Sequence, residues 1–109
     1  AARKEAIQAA TLYATEVPAR VMQLCYDSME VAEAMAEIGN PNSVTDAAVG
    51  ALAARAGVRG AFLNVRINAA GLEDKARVAE FLALSEKLCK LAEEREAKIL
   101  AIADTKINK

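Results

Sequence analysis

Two asparagines four positions apart, Asn64 and Asn68, have the residue type and spacing that most favour chemistry. They interrupt the otherwise largely apolar segment 62–68, FLNVRIN. Asparagine is unfavourable inside a helix because its side chain competes for backbone hydrogen bonds. Each carboxamide offers two N–H donors and an acceptor oxygen, which suits a planar polar ligand. Two simpler roles stay open: a hydrogen bond between helices for Asn64, and a C-terminal cap for Asn68.

A carboxylate lies on the same predicted helical face. Asp46 precedes Asn64 by 18 residues, which is five helical turns. Each glycine between them costs about 0.8–1.0 kcal/mol relative to alanine, so the glycines indicate either tight helix packing or the floor of a ligand site. Asp46 fits either charge complementation of the helix N-terminus or ligand positioning. The complete stripe is Asp46, Gly50, Ala53, Gly57, Gly60 or Ala61, Asn64 and Asn68.

Other chemistry is disfavoured by composition. The chain has no histidine, which removes the commonest general base and metal ligand. Cys25 and Cys89 lack the spacing of a metal site, so we expect reduced, packed thiols and no bound metal. A net charge of -1 argues against nucleic acid as a partner. No segment predicts a membrane span or a signal peptide, and we expect a cytoplasmic protein without a membrane partner.

Three long helices are predicted, at 3–38, 44–68 and 73–105. Hydrophobic residues make up 54% of the chain and aromatic residues only 4%, and alanine, the strongest helix former, is the most frequent residue. Pro18 lies inside the first helix and predicts a kink near 15–18 or a restart there. The predicted fold is therefore all-α, with long antiparallel helices in an up-down bundle.

The break between the first two helices carries its own signals. Gly39 suits the left-handed position after a helix, and Pro41 blocks continuation. Asn42 or Ser43 is expected to cap the next helix, with Asp46 as its partner three residues after Ser43.

The first helix carries two apolar stripes, which predict contacts on two sides. The second stripe is Met22, Tyr26 and Met29. Three long helices from a chain of this length bury too little surface against one another. We therefore expect missing helices, a second subunit or both to complete the bundle. The main stripe is Ile7, Ala10, Ala14, Val17, Val21, Leu24, Cys25, Val31, Met35 and Ile38.

The arginines of the second helix form a further pattern. Arg55, Arg59 and Arg66 recur at spacings of four and seven residues. Such a stripe is typical of a solvated or subunit-facing surface, and an anion site is the alternative.

Two motifs carry a family resemblance. Residues 39–46, GNPNSVTD, and residues 60–68, GAFLNVRIN, together with ATEVP at 14–18, resemble the formimidoyltetrahydrofolate cyclodeaminase / methenyltetrahydrofolate cyclohydrolase family. The resemblance implies an all-helical, dimeric domain about twice this length, of which residues 1–109 are the C-terminal part. The chain also begins without methionine, inside what looks like a charged helix, so we expect a piece of a longer protein.

The resemblance implies folate one-carbon chemistry without a cofactor, on a tetrahydrofolate derivative as substrate. The family's Pro-Gly-Gly turn and acid–base aspartate belong to the N-terminal half, so the catalytic residues are unknown here and we expect this piece alone to be inactive. The substrate-binding candidates are Asn40, Asn42, Ser43, Asp46, Asn64 and Asn68.

The main hypothesis is cyclisation of formimino-tetrahydrofolate to methenyl-tetrahydrofolate with release of ammonia. The alternative is the cyclohydrolase reaction, in which water adds to the methenyl carbon and the ring opens. A second alternative is a non-catalytic helical assembly module. An enzyme requires the polar residues to converge on an open cleft, whereas an assembly module would seal them between helices.

Overall fold

The computed structural model describes residues 1–107, which form three helices and no strand. Helix α1 spans Ala2–Ile38, α2 spans Val44–Ala69 and α3 spans Lys75–Ile107. A single 3-10 turn, Pro41–Ser43, precedes α2. The prediction of an all-α fold is confirmed, and the helix ends lie within two residues of the predicted ones.

The short connections reverse the chain twice, so α2 runs antiparallel to both of its neighbours. The Gln8 side chain, near the start of α1, accordingly donates to the Gly71 carbonyl oxygen and accepts from the Glu73 N–H, both after the end of α2. The molecule is a rod of 65 × 17 × 16 Å. None of the helices in the described chain combines the length and apolar character needed to cross a membrane.

Helix α1 continues through Pro18 without interruption, so the predicted restart of the helix there is wrong. Proline has no N–H to offer the carbonyl four residues earlier. The oxygen deprived in this way belongs to Ala14, and it accepts a hydrogen bond from the side chain of Asn68 instead. The lost backbone bond is thus replaced from α2.

The break after α1 differs from its prediction. Gly39 has an extended backbone, with φ -75° and ψ -179°, rather than a left-handed one. A side chain there would collide with the Met35 carbonyl oxygen, so close approach rather than handedness requires glycine. The predicted side-chain cap by Ser43 is not formed. Asn40 caps the 3-10 turn instead, because its Oδ1 accepts from the Asn42 N–H at 2.9 Å.

The core explains the two apolar stripes of α1. Met22 and Met29, from the second stripe, are fully buried, and Tyr26 is packed against the core. Most of the main stripe is exposed, including Leu24 and Val31. The buried core consists of Met22, Met29, Ala36, Val44, Ala48, Ala51, Val58, Ala61, Phe62, Val65, Leu88, Cys89, Ala92, Ile99 and Ala103.

Ion pairs join the helices along their edges. The arginine stripe does not point only to solvent, because Arg55 pairs with Glu93 and Glu96 of α3, at 3.2 and 3.5 Å. Glu33 of α1 pairs with two cations of α3, Arg95 and Lys98.

The C-terminal end of α1 is held by α3. The Lys106 ammonium donates to the carbonyl oxygens of Ala36 and Glu37. These carbonyls lie in the last turn of α1, where a cation complements the helix dipole.

Candidate functional site

An open groove of about 550 Å³ runs between α1 and α2. Its volume falls in the range of small-molecule sites, which is about 300–1,000 Å³. Helix α1 supplies an aromatic and aliphatic wall, and α2 supplies small residues and carboxamides. The lining residues are Tyr13, Ala14, Val17, Pro18, Val21, Gly57, Ala61, Asn64 and Asn68.

The two carboxamides of the sequence motif both reach this groove. Asn64 is exposed to solvent and Asn68 is half-buried. Their spacing of four residues places them one above the other on α2, since such residues share a helical face. Val65 and Ala69, on the adjoining face, are buried in the core and hold this part of α2 in place.

The floor of the groove is made by small residues. A Cβ atom added at Gly57 would lie 2.7 Å from Cys25 Sγ, so Gly57 permits α1 and α2 to approach closely. At Gly50 and Gly60, in contrast, an added Cβ atom would have no neighbour within 4 Å. The packing explanation therefore holds for Gly57 alone among these three. Gly57 and Ala61 both line the groove.

Tyr13 is a groove residue that the sequence motifs do not include. It is 70% exposed, and it belongs to the α1 wall that faces the carboxamides of α2. An exposed aromatic ring is a stacking surface for a flat ligand. The sequence signal for it is its rarity, because the chain has only two tyrosines, and its position four residues before Val17, another groove residue.

The Asn68 side chain forms a hydrogen bond to α1. Its Nδ2 donates to Ala14 O at 3.0 Å, across the contact between α2 and α1. The Asn68 side chain therefore bonds to α1 and does not cap the C-terminal end of α2, which was the alternative prediction. Its Oδ1 stays available as an acceptor, because an amide oxygen takes no part in a bond donated by Nδ2.

The remaining predicted site residues lie at the opposite end of α2. Asp46 is about 27 Å from Asn64 along the helix axis, from the rise of 1.5 Å per residue. Asn40, Asn42 and Asp46 are exposed there, and Ser43 is half-buried. The structure therefore groups the six candidates in two clusters rather than one, and a binding role for the far cluster stays a prediction.

The described residues that line the groove include no carboxylate. They can hold and orient a ligand through aromatic, aliphatic and amide contacts. A carboxylate that moves a proton would have to approach from outside the groove. Cys89 is not a groove residue, and burial raises the pKa of its thiol, although the positive charge of Arg59 opposes the shift.

The fold and the groove define an all-helical domain with an open cleft edged by two carboxamides and a tyrosine. The chain belongs to the formiminotransferase-cyclodeaminase family, because the model of that family matches residues 1–87. This range includes α1, α2 and every groove residue. The resemblance inferred from the two motifs is thereby confirmed.

A curated relative comes from Methylorubrum extorquens, where it is named methenyltetrahydrofolate cyclohydrolase. It is 41% identical over 108 residues, which cover 99% of this chain and 52% of the relative. The chain thus spans about half the length of the protein it matches.

Proposed function

We propose that this chain forms the folate-binding groove of an enzyme that opens methenyl-tetrahydrofolate with water. The observation that carries the proposal is the convergence of Asn64, Asn68 and Tyr13 on one open groove. The 41% identity to a methenyltetrahydrofolate cyclohydrolase supports the hydrolytic reaction over the ammonia-releasing one. The assembly-module alternative is less well supported, since it requires these polar residues to be sealed.

The groove suits the pterin and aryl-amine parts of a folate. A pterin is flat and carries donors and acceptors along its edge, which carboxamides at Asn64 and Asn68 can match. The Tyr13 ring offers a stacking face, and the small residues Gly57 and Ala61 line the floor over which a ring can lie. Such contacts fix the reacting carbon in one orientation, which lowers the entropic part of the barrier.

The reaction needs a group that accepts a proton, in addition to an oriented substrate. Water adds to the cationic methenyl carbon and loses one proton, which gives a neutral carbinolamine. The C–N bond then breaks with its electron pair going to the ring nitrogen, the hydroxyl becomes the formyl C=O, and the hydroxyl proton ends on that nitrogen. The products are a formyl-tetrahydrofolate and one released proton. In the proposed enzyme a carboxylate outside the groove takes this proton, and no metal or redox cofactor takes part.

Ammonia release is the second candidate, and the description of the matched family favours it. There, an aryl-amine nitrogen of the folate attacks the formimino carbon and ammonia leaves. Orientation by the same groove would serve both reactions, because both join or break a bond at one bridging carbon.

Two assays of the complete protein separate these functions. Ring opening of methenyl-tetrahydrofolate is followed by the loss of its absorbance, and cyclisation of formimino-tetrahydrofolate by the ammonia it releases. The proposal expects accelerated ring opening with little ammonia. Ammonia release without ring opening would favour the second candidate, and the absence of both activities would contradict a folate enzyme of either kind.

The exposed apolar stripe of α1 supports an assembled enzyme. Leu24, Val31 and Ile38 are 60%, 65% and 83% exposed, which is unusual for a lone helical rod. The proposal therefore includes a homodimer or a higher homo-oligomer. Light scattering of the complete protein tests it, and a compact monomer at the formula mass would refute it.

A further inference from the structure

The contact between Pro18 and Asn68 has a consequence for ligand recognition. In an α-helix the N–H of residue 18 would bond the carbonyl of residue 14, but Pro18 lacks that N–H. The proline ring also crowds the same carbonyl. Ala14 O is thus an acceptor without its helical donor, and Ala14 borders the groove.

Asn68 supplies the missing donor. Its Nδ2 lies 3.0 Å from Ala14 O, although the two residues are 54 positions apart in the chain. A carboxamide on its own can turn either its oxygen or its nitrogen toward a ligand. Donation to Ala14 decides between these orientations, because a reversed amide would set oxygen against oxygen.

We propose that Pro18 is a positioning residue, which fixes the Asn68 carboxamide so that it offers an acceptor oxygen to the ligand. The site then selects a ligand that carries an N–H donor at this point, as the edge of a reduced pterin does. This inference rests on the proposed function for the identity of the ligand. The Pro18–Asn68 coupling itself rests only on the observed contact.

The first experiment replaces Pro18 by alanine in the complete protein. The new alanine regains the N–H and closes the helical bond to Ala14 O, which releases Asn68. Thermal unfolding is expected at or above the wild-type midpoint, while the Kd for tetrahydrofolate in calorimetry rises about three- to tenfold, the usual cost of immobilising one more side chain. A purely structural role predicts that stability and binding change together. Pro41→Ala, which removes the other proline, is the matched control for unfolded-state effects.

The second experiment tests whether the effect of Pro18 passes through Asn68. Asn68→Asp keeps an acceptor but cannot donate to Ala14 O, so it weakens binding when Pro18 is present. Pro18→Ala should then improve the binding of the Asn68→Asp variant, because the restored N–H satisfies Ala14 O and the introduced carboxylate keeps its acceptor oxygens. Opposite effects of Pro18→Ala in the two backgrounds support the inference, and equal effects overturn it.

The two proposals fail in different ways. If the wild-type protein gives no heat with tetrahydrofolate, the proposed function fails. The coupling is still tested by the unfolding free energies of the wild type, the two single variants and the double variant, which are additive unless residues 18 and 68 interact. Additive values would overturn the positioning role whatever the ligand.

Discussion

The two ends of α2 carry similar polar residues but have different surroundings. At the C-terminal end, Asn64 and Asn68 face α1 across a groove with an aromatic wall. At the N-terminal end, Asp46 and Asn42 are exposed beside a tight turn, and the Asn40 side chain is used to cap that turn. Carboxamides therefore line an open groove at one end, whereas at the other end the Asn40 carboxamide caps a turn.

The two clusters share a helical face but lie far apart along α2. Five turns of helix separate Asp46 from Asn64 by about 27 Å. What distinguishes the groove end is the opposing wall from α1, with Tyr13 and Pro18. Substitutions at the two ends of α2 test whether only the groove end binds a ligand.

The largest expected effect is at Asn64. Asn64→Leu should raise the KM for methenyl-tetrahydrofolate about 5- to 150-fold, since a polar group left unsatisfied in a desolvated site costs about 1–3 kcal/mol. Gln23→Leu, which removes a carboxamide from an exposed position of α1 outside the groove, is the control. Asp46→Asn distinguishes the two ends: a change comparable to that at Asn64 would unite the two clusters in one site.

The next effect concerns the aromatic wall. Tyr13→Ala should weaken tetrahydrofolate binding about three- to tenfold, as expected for one stacking contact of about 0.5–1.5 kcal/mol. Tyr13→Phe should keep most of the affinity, because the ring and not the hydroxyl provides the stacking face. Equal losses for both variants, measured by calorimetry, would show that the hydroxyl carries the contact.

The glycines allow a comparison of stability between the two ends. Gly50→Ala should raise the free energy of unfolding by about 0.8–1.0 kcal/mol, because nothing obstructs the added methyl group. Gly57→Ala should not raise the free energy of unfolding in this way, because the added methyl group would lie too close to Cys25 Sγ. Denaturant titration measures both, and Cys25→Ala should restore the gain at residue 57. A full gain for Gly57→Ala alone would contradict the packing role.

The smallest effect is a pH dependence set by Cys89. Burial raises its pKa in the folded chain, so the folded state retains the thiol proton more strongly than the unfolded state does. Its contribution to stability is present below the ordinary thiol pKa and declines as the pH rises through that value toward the folded one. Denaturant titrations at several pH values should show a small decline that Cys89→Ala removes. An identical decline in that variant would assign it to other groups.

Much of the fold could be predicted because the local signals agree. Alanine-rich helical segments end near Gly39 and Gly71, where the turn residues cluster, so the predicted helix ends lie within two residues of the observed ones. The grouping of Asn64 with Asn68 follows from spacing alone. Which apolar stripe of α1 forms the core could not be predicted, since both have helical periodicity and only packing against α2 and α3 distinguishes them.

The rest of the groove depends on contacts between distant segments. Tyr13 lies 51 positions before Asn64, and only the pairing of α1 with α2 brings both to one cavity. The bond from Asn68 to Ala14 O likewise needs the register of two helices as well as the missing N–H of Pro18. The extended backbone of Gly39 could not be predicted because close approach and left-handed geometry both require glycine, and the sequence does not separate them.

The most direct test of the groove as a folate site is a calorimetric titration of the complete wild-type protein with tetrahydrofolate under anaerobic conditions. A folate groove predicts saturable heat with one ligand for each copy of the groove, strongly reduced in Asn64→Leu and unchanged in Gln23→Leu. Absence of heat in the wild type, or equal binding by the Asn64→Leu variant, would contradict it.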